Sequence, residues 1–83
     1  MGRGDDMNDV KLPILKSGEL IKALEKIGFS RTRKSKGSHC RYKHPDGRKT
    51  TVPVHKGRDI GRGLLRKILR NVNISIEELD KLL

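Results

Sequence analysis

The stretch that decides the fold runs from Lys34 to His55 and reads KSKGSHCRYKHPDGRKTTVPVH. Its centre is Pro45-Asp46-Gly47, a strong reversal signal, because proline fixes φ and glycine accepts a positive φ. On both sides of the reversal, side chains that suit a core alternate with basic or polar ones, which is typical of half-buried strands. The pattern therefore predicts two antiparallel strands, over residues 39–44 and 48–54, joined as a hairpin.

The two faces of this hairpin differ in chemistry. The face that we expect to turn toward the core carries Cys40, Tyr42, His44, Thr50, Val52 and Val54. The opposite face carries His39, Arg41, Lys43, Lys49, Thr51 and Pro53. Because Pro53 has no N–H to donate to a ladder, it is expected at an edge or near the end of its strand. The second face is strongly basic, so we expect it to meet solvent or a ligand.

An amphipathic helix precedes the hairpin. Its apolar residues gather on one side of the helix and are Leu20, Ile21, Leu24 and Ile27. Ser17 is expected to cap the start of this helix, and Gly28 to end it as the first residue beyond the C-cap. A short strand is expected from Phe29 to Lys34, followed by a polar turn that contains Gly37.

A second amphipathic helix follows the hairpin. Its apolar stripe consists of Ile60, Leu64, Leu65, Ile68, Leu69 and Val72. Asp59 is expected to cap it, and Gly61 and Gly63 to loosen its first turn. The pattern Ser75-x-x-Glu78 is a capping box and predicts a short final helix.

The predicted order is α-β-β-β-α with a short C-terminal helix. Both helices can bury their apolar stripes against one face of a three-stranded antiparallel sheet. This arrangement is a two-layer α+β sandwich. This is the element order of the double-stranded-RNA-binding fold. We expect residues 1–11 to be a disordered tail and residues 12–83 to be one domain.

The basic charge is concentrated in the middle of the chain. The whole sequence has 20 Lys+Arg against 10 Asp+Glu, a net charge of +10. From Arg31 to Arg70 there are 14 Lys/Arg and 2 acidic residues, a net charge of +12. A block of this density favours a polyanionic partner, and nucleic acid is the first choice.

Several classes of protein are disfavoured. No apolar run is as long as a membrane span or has the plan of a secretory signal. One cysteine cannot form an internal disulfide. A cytoplasmic protein without a membrane partner is therefore expected. Three histidines and one cysteine lack the short paired spacing of a zinc site. We therefore expect no metal and no small-molecule cofactor.

Several motifs, taken in order, resemble one known family. They are Leu20-Ile-Lys-Ala-Leu24, Gly28-Phe29, Lys36-Gly37-Ser38-His39, His44-Pro45-Asp46-Gly47-Arg48, Val52-Pro53-Val54-His55 and Gly63-Leu-Leu-Arg-Lys-Ile-Leu69. The ordered set is similar to the HicA (YcfA-like) mRNA-interferase toxins and covers roughly Leu12 to Leu83. The resemblance implies a toxin of a type II toxin–antitoxin system and stress response, with a double-stranded-RNA-binding-like fold. It further implies metal-independent endoribonuclease activity on mRNA and a HicB-type antitoxin partner.

The resemblance maps the family's catalytic histidine onto His39. A minimal ribonuclease needs a group that moves protons and cations that stabilise the charged phosphorane, and histidine at neutral pH suits the first task. The residues expected to contact RNA are Lys36, Gly37, Ser38, Arg41, Lys43, Lys56, Arg58 and Arg62. The last three flank the start of the second helix, where free N–H groups favour phosphate. One departure is Cys40, where family members often carry another polar residue or a histidine; its expected inward position predicts little effect on activity.

The remaining histidines and the rival functions stay open. His44 is expected to pack at the hairpin, and His55 to form an ordinary hydrogen bond or to serve as a second proton donor. With 2% aromatic residues, base readout by stacking is poorly supported, so weak sequence preference is expected. A non-catalytic RNA-binding domain of the same fold is the alternative function. A DNA-binding regulator is disfavoured because no helix-turn-helix pattern is evident.

Overall fold

The computed structural model describes residues 12–33 and 37–83. Its elements are helix α1 (Ser17–Lys26), strands β1 (Ser30–Arg31), β2 (His39–Lys43) and β3 (Lys49–Pro53), and helices α2 (Arg62–Val72) and α3 (Ile76–Leu82). The three strands form one antiparallel sheet in the order β1-β2-β3. This is the predicted α+β arrangement, consistent with the double-stranded-RNA-binding fold. The tail expected at residues 1–11 lies outside the described residues.

The hairpin is the longer of the two strand pairings in the sheet and follows the sequence pattern. His39 lies opposite Pro53, and Cys40 opposite Val52. The reversal is closed by the His44 N–H, which donates to the Arg48 carbonyl at 2.9 Å. Pro53 is the last residue of its strand, as its missing N–H predicts.

The first strand is shorter than predicted. It comprises Ser30–Arg31 alone, whereas the sequence pattern predicted a strand from Phe29 to Lys34. Phe29 is instead buried in the core, at 2% exposure. The residues after Phe29 are polar and have little apolar surface to bury, so the pairing with β2 is short. It extends to the Thr32 N–H, which donates to the Arg41 carbonyl at 2.8 Å. The far end of the predicted strand, at Lys34, lies outside the described residues.

Helix α1 begins one residue earlier than predicted. Its N-cap is Lys16, so the prediction of a Ser17 cap is wrong. Glu19 accepts the Lys16 backbone N–H at 2.9 Å, which satisfies the helix start without a serine. The C-terminus matches the prediction: the Gly28 and Phe29 N–H groups bond back to the Glu25 and Leu24 carbonyls, a Schellman motif.

Helix α2 is capped by Gly61, so the prediction of an Asp59 cap is wrong. Asp59 instead forms an antiparallel bridge and an ion pair of 3.1 Å with Lys16, which ties the start of α1 to the loop before α2. The capping box of α3 is confirmed, since the Glu78 N–H donates to the Ser75 hydroxyl at 3.0 Å.

A single core lies between the sheet and the helices. The inward residues of the hairpin, Cys40, Tyr42, Thr50 and Val52, are all buried, and Val54 is half-buried against the core. Helices α1 and α2 contribute their apolar stripes, including Leu20, Leu24, Leu65 and Ile68. The inner sheet face is thereby covered. No helix in the described residues is long and apolar enough to cross a membrane.

Candidate nucleic-acid interface

The outward face of the sheet is built on the central strand. His39, Arg41 and Lys43 alternate with buried Cys40 and Tyr42, and all three are exposed. Alternation along a strand places such residues on one face, so the buried pair fixes where the basic side chains lie. The predicted division of this strand into an inner and an outer side is therefore confirmed.

A groove of about 790 Å³ crosses this face and reaches α2 at the open edge of β3. Its walls include the outward residues His39, Arg41, Lys43, Lys49, Thr51 and Pro53 and the α2 residues Leu64, Lys67, Ile68 and Asn71. Asn71 Nδ2 donates to Thr50 Oγ1 at 3.3 Å, which ties α2 to β3. Five Lys or Arg side chains and no Asp or Glu line the groove in the described part of the chain. Such a groove attracts anions.

Of these wall residues, sequence reasoning had assigned only His39, Arg41 and Lys43 to the site. Lys49 lay on the predicted outer side of β3, but only the observed register places it opposite Lys43. Lys67 and Asn71 belong to a stripe on α2 at positions 64, 67, 68 and 71, which is helical spacing. Periodicity predicts such a stripe, but it does not show which flank of α2 meets the edge of the sheet.

The pair Lys43–Lys49 is electrostatically unfavourable on its own. Beside it, the His44 N–H donates to the Arg48 carbonyl, so Lys43 and Lys49 occupy the closer, non-hydrogen-bonded kind of pair. Like charges placed directly opposite each other destabilise a sheet. A local conflict of this kind is typical of a functional site, where a ligand of opposite charge relieves it.

His44 has a structural role. Its Nε2 lies 2.9 Å from the Ile27 carbonyl, and because a carbonyl only accepts, Nε2 carries the proton and donates it. In the neutral ring, Nδ1 then accepts the Asp46 N–H at 3.1 Å. The ring also packs edge-on against Phe29, with 5.1 Å between centroids. Both ring nitrogens of His44 are thus engaged in the fold, in agreement with the packing role expected for it.

Arg48 is committed to the fold as well. Its guanidinium donates to Asp46 Oδ2 at 2.8 Å and to the Val72 carbonyl, and it lies 5.2 Å from the centre of the Phe29 ring. The Arg48 backbone N–H, which donates to the Asp46 carboxylate, is the main cause that lowers the pKa of Asp46. This cation holds the hairpin turn to the C-terminal end of α2.

The loop after β3 lies apart from the groove walls. Lys56 and Arg58 are exposed, and Arg62 is the first residue of α2. None of these three lines the groove. The Val54 N–H donates to the Ser38 carbonyl at 2.6 Å, so His55 follows a residue that is held beside the start of β2.

The segment before β2 is described only in part. Gly37 is exposed with φ +55°, and Ser38 is half-buried, its carbonyl occupied by Val54. Neither residue lines the groove. Lys36, which was also expected to contact RNA, lies outside the described residues.

Two further groups near the groove are inward-facing. Burial raises the pKa of the Tyr42 hydroxyl above its ordinary value, and Cys40 is a buried free thiol. Both positions agree with the predicted core side of β2. Across residues 12–33 and 37–83, no three His, Cys, Asp or Glu side chains come together as a metal-binding group.

Comparison with known families gives one match. Residues 17–74, more than half of the chain, match the family model described as HicA toxin of bacterial toxin–antitoxin. The matched segment spans α1, the whole sheet and α2 and therefore includes the groove. A comparison with curated proteins finds no match to the chain.

Proposed function

Because this chain belongs to the HicA toxin family of bacterial toxin–antitoxin systems, we propose that it is a metal-independent endoribonuclease that cleaves mRNA in the cytoplasm. His39 is its general acid or base. A HicB-type antitoxin neutralises it. The proposal combines the family with the chemistry of the groove.

The observation that carries the proposal is the different position of the three histidines. Both ring nitrogens of His44 are held by Ile27 and Asp46. His55 is exposed but lies outside the groove walls, whereas the exposed His39 belongs to them. Within the described residues, no hydrogen bond or ion pair engages the His39 ring. His39 is therefore the histidine best placed to exchange a proton with a ligand in the groove.

RNA carries its own nucleophile, the 2′-hydroxyl. The RNA 2′-oxygen attacks the adjacent phosphorus as its proton leaves, the bond from phosphorus to the 5′-oxygen breaks, and that oxygen gains a proton. The products are a 2′,3′-cyclic phosphate and a 5′-hydroxyl. His39 takes the first proton or supplies the second, and water exchanges the other proton. Arg41 and Lys43, which follow His39 at alternate positions of β2, stabilise the charge that develops on the phosphorane.

The remaining predicted contacts belong to the path of the RNA strand. Gly37 and Ser38 precede His39 and offer backbone groups close to it, and Lys36 adds charge. Lys56, Arg58 and Arg62 surround the start of α2, where the helix dipole and free N–H groups favour a phosphate. These six residues bind phosphates beyond the one that reacts.

The test is cleavage of a generic mRNA by the purified wild-type protein in excess EDTA. We expect cleavage, with products that end in a 2′,3′-cyclic phosphate and a 5′-hydroxyl, both identified by mass spectrometry. Loss of cleavage in EDTA, or products with a 3′-hydroxyl and a 5′-phosphate, would refute the mechanism. RNA that is bound but stays intact would establish the alternative, a non-catalytic RNA-binding domain.

A further inference from the structure

Strand β3 forms one edge of the sheet, and its backbone has an unused side. Two hydrogen bonds show which residues of β3 bond to β2. The His44 N–H donates to the Arg48 carbonyl, and the Val54 N–H donates to the Ser38 carbonyl. Even-numbered residues of β3 therefore bond to β2, and the N–H and carbonyl groups of Lys49 and Thr51 point away from it. Among the described residues, no further strand pairs with this edge. An edge of this kind is a template for an added strand.

The groove determines which strand would fit. On the inner side, the edge borders α2 at Leu64, which is half-buried, and at Ile68, which is buried. On the outer side, Lys49 and Arg41 supply positive charge, and no acidic residue lines the described groove. Side chains alternate across a strand. A strand added here would therefore present apolar side chains to α2 and acidic side chains to the basic face.

The same charges disfavour a second copy of this chain. Antiparallel pairing of two β3 edges through Thr51 would join the basic outward faces of both copies into one surface, and no acidic residue lines the described groove to offset that charge. Charges of one sign gathered on one surface repel one another. Lysine on an edge strand is a common means by which proteins avoid such self-association.

We propose that the open edge of β3 binds an extended segment of a partner protein, in which acidic and apolar residues alternate, by adding it to the sheet as a fourth strand. Its acidic side chains face Lys49 and, on the proposed function, compete with RNA phosphates for the groove. The proposal concerns a protein contact, and its test reads binding alone. Its failure is thus separable from failure of the cleavage mechanism.

The first test uses a synthetic peptide, acetyl-Glu-Val-Glu-Val-Glu-Val-Glu-amide, carrying a fluorophore, with binding measured by anisotropy. Two matched peptides carry three N-methyl groups each. In one they are on the three valine nitrogens, and in the other they are on the nitrogens of the last three glutamates. Because alternate N–H groups of a strand point to opposite sides, one of these peptides should lose affinity at least tenfold and the other less than twofold. Equal effects of the two methylations, or no saturable binding up to about 1 mM, the weak end of measurable affinity, would overturn the proposal.

The second test changes the protein. Thr51→Pro removes an N–H that points away from β2, which an edge strand tolerates, and Thr51→Val keeps that N–H while removing the hydroxyl. We expect Thr51→Pro to lose peptide affinity at least tenfold and Thr51→Val to keep it within twofold. If Thr51→Pro leaves peptide binding intact but weakens binding of single-stranded RNA, the edge belongs to the RNA interface and the proposal is wrong. If Thr51→Pro does not fold, the methylated peptides decide the question alone.

Discussion

Gly28 and Gly47 have almost the same backbone angle but different surroundings. Their φ values are +103° and +102°, where side chains are rarely accepted. A Cβ at Gly28 would lie 2.8 Å from His44 Nε2, whereas nothing lies within 4 Å of a Cβ at Gly47. Gly28 therefore ends α1 and also leaves room for the His44 ring, while Gly47 serves the turn alone.

This difference predicts that Gly28→Ala lowers the free energy of unfolding more than Gly47→Ala does. Both substitutions cost about 1–2 kcal/mol for the positive φ. Gly28→Ala adds about 1–3 kcal/mol because it displaces His44 from the Ile27 carbonyl. Urea unfolding of both variants measures the difference.

A double-mutant cycle with His44→Ala isolates the contact. If the account is correct, the extra cost of Gly28→Ala disappears in the His44→Ala background, because the ring that it displaces is no longer there. Equal losses for the two glycine variants would show that His44 does not restrict the space at Gly28. The sequence indicated a helix end at Gly28 and a packing role for His44, but their contact joins residues that are distant along the chain, so local patterns could not predict it.

At the scale of elements, the hairpin keeps two lysines opposite each other. Lys43 and Lys49 are register partners on the outward face, in the closer kind of antiparallel pair. Among the described residues, no hydrogen bond or ion pair uses the ammonium group of Lys43 or Lys49, and the hairpin is held by the buried residues behind them, including Tyr42 and Thr50. The pair is understandable if a phosphate lies over it.

Lys49→Gln should therefore stabilise the protein and weaken RNA binding at the same time. Removing one of two opposed charges raises the free energy of unfolding by about 0.2–1 kcal/mol. It also removes about 0.7 from the slope of log affinity against log salt concentration for single-stranded RNA. Thermal unfolding and RNA titration over a range of salt concentrations measure the two effects.

Lys22→Gln is the matched control for this prediction. It removes the same charge from an exposed position on α1, outside the groove. We expect no change in the salt dependence of RNA binding for this variant. If Lys49→Gln destabilises the hairpin, or if both variants change the salt slope equally, Lys49 has no special place in the interface.

The two cap predictions failed for a reason that belongs to this scale. Ser17 and Asp59 both precede apolar runs and are good cap residues, so local pattern favours them. In the fold, Asp59 pairs with Lys16 across 43 positions of sequence, and the Ile60 N–H donates to the Leu15 carbonyl at 2.7 Å. This long-range bridge sets the starts of both helices, and a single-sequence pattern does not contain it.

At the scale of the whole molecule, hydrophobic period and one turn signal were enough to predict the fold. The strand alternation separated a core side from a basic side, and that division placed His39, Arg41 and Lys43 correctly on the outside. The α2 wall of the groove could not be predicted, because it depends on how the helix is rotated against the edge of β3. That rotation is a property of packing rather than of sequence period.

The charge distribution also becomes clearer in three dimensions. Within the described part of the basic block from Arg31 to Arg70, three groups of cations differ in their surroundings. Some line the groove, others lie in the loop around Lys56 and Arg58, and Arg48 is held by Asp46 and the Val72 carbonyl. Net charge alone treats these as equivalent. In the proposed function, the groove serves the reacting phosphate and the loop serves its neighbours, while Arg48 contributes to stability.

The most direct test of the central claim is the single-turnover rate of RNA cleavage in EDTA, at a temperature where all variants are folded. We predict that His39→Ala loses about a hundredfold or more of the wild-type rate, the usual contribution of a positioned acid or base, while keeping its RNA affinity. His44→Ala, the matched control, should keep most of the rate, because its ring holds α1 and the hairpin turn. Cleavage by His39→Ala at the wild-type rate would contradict the account.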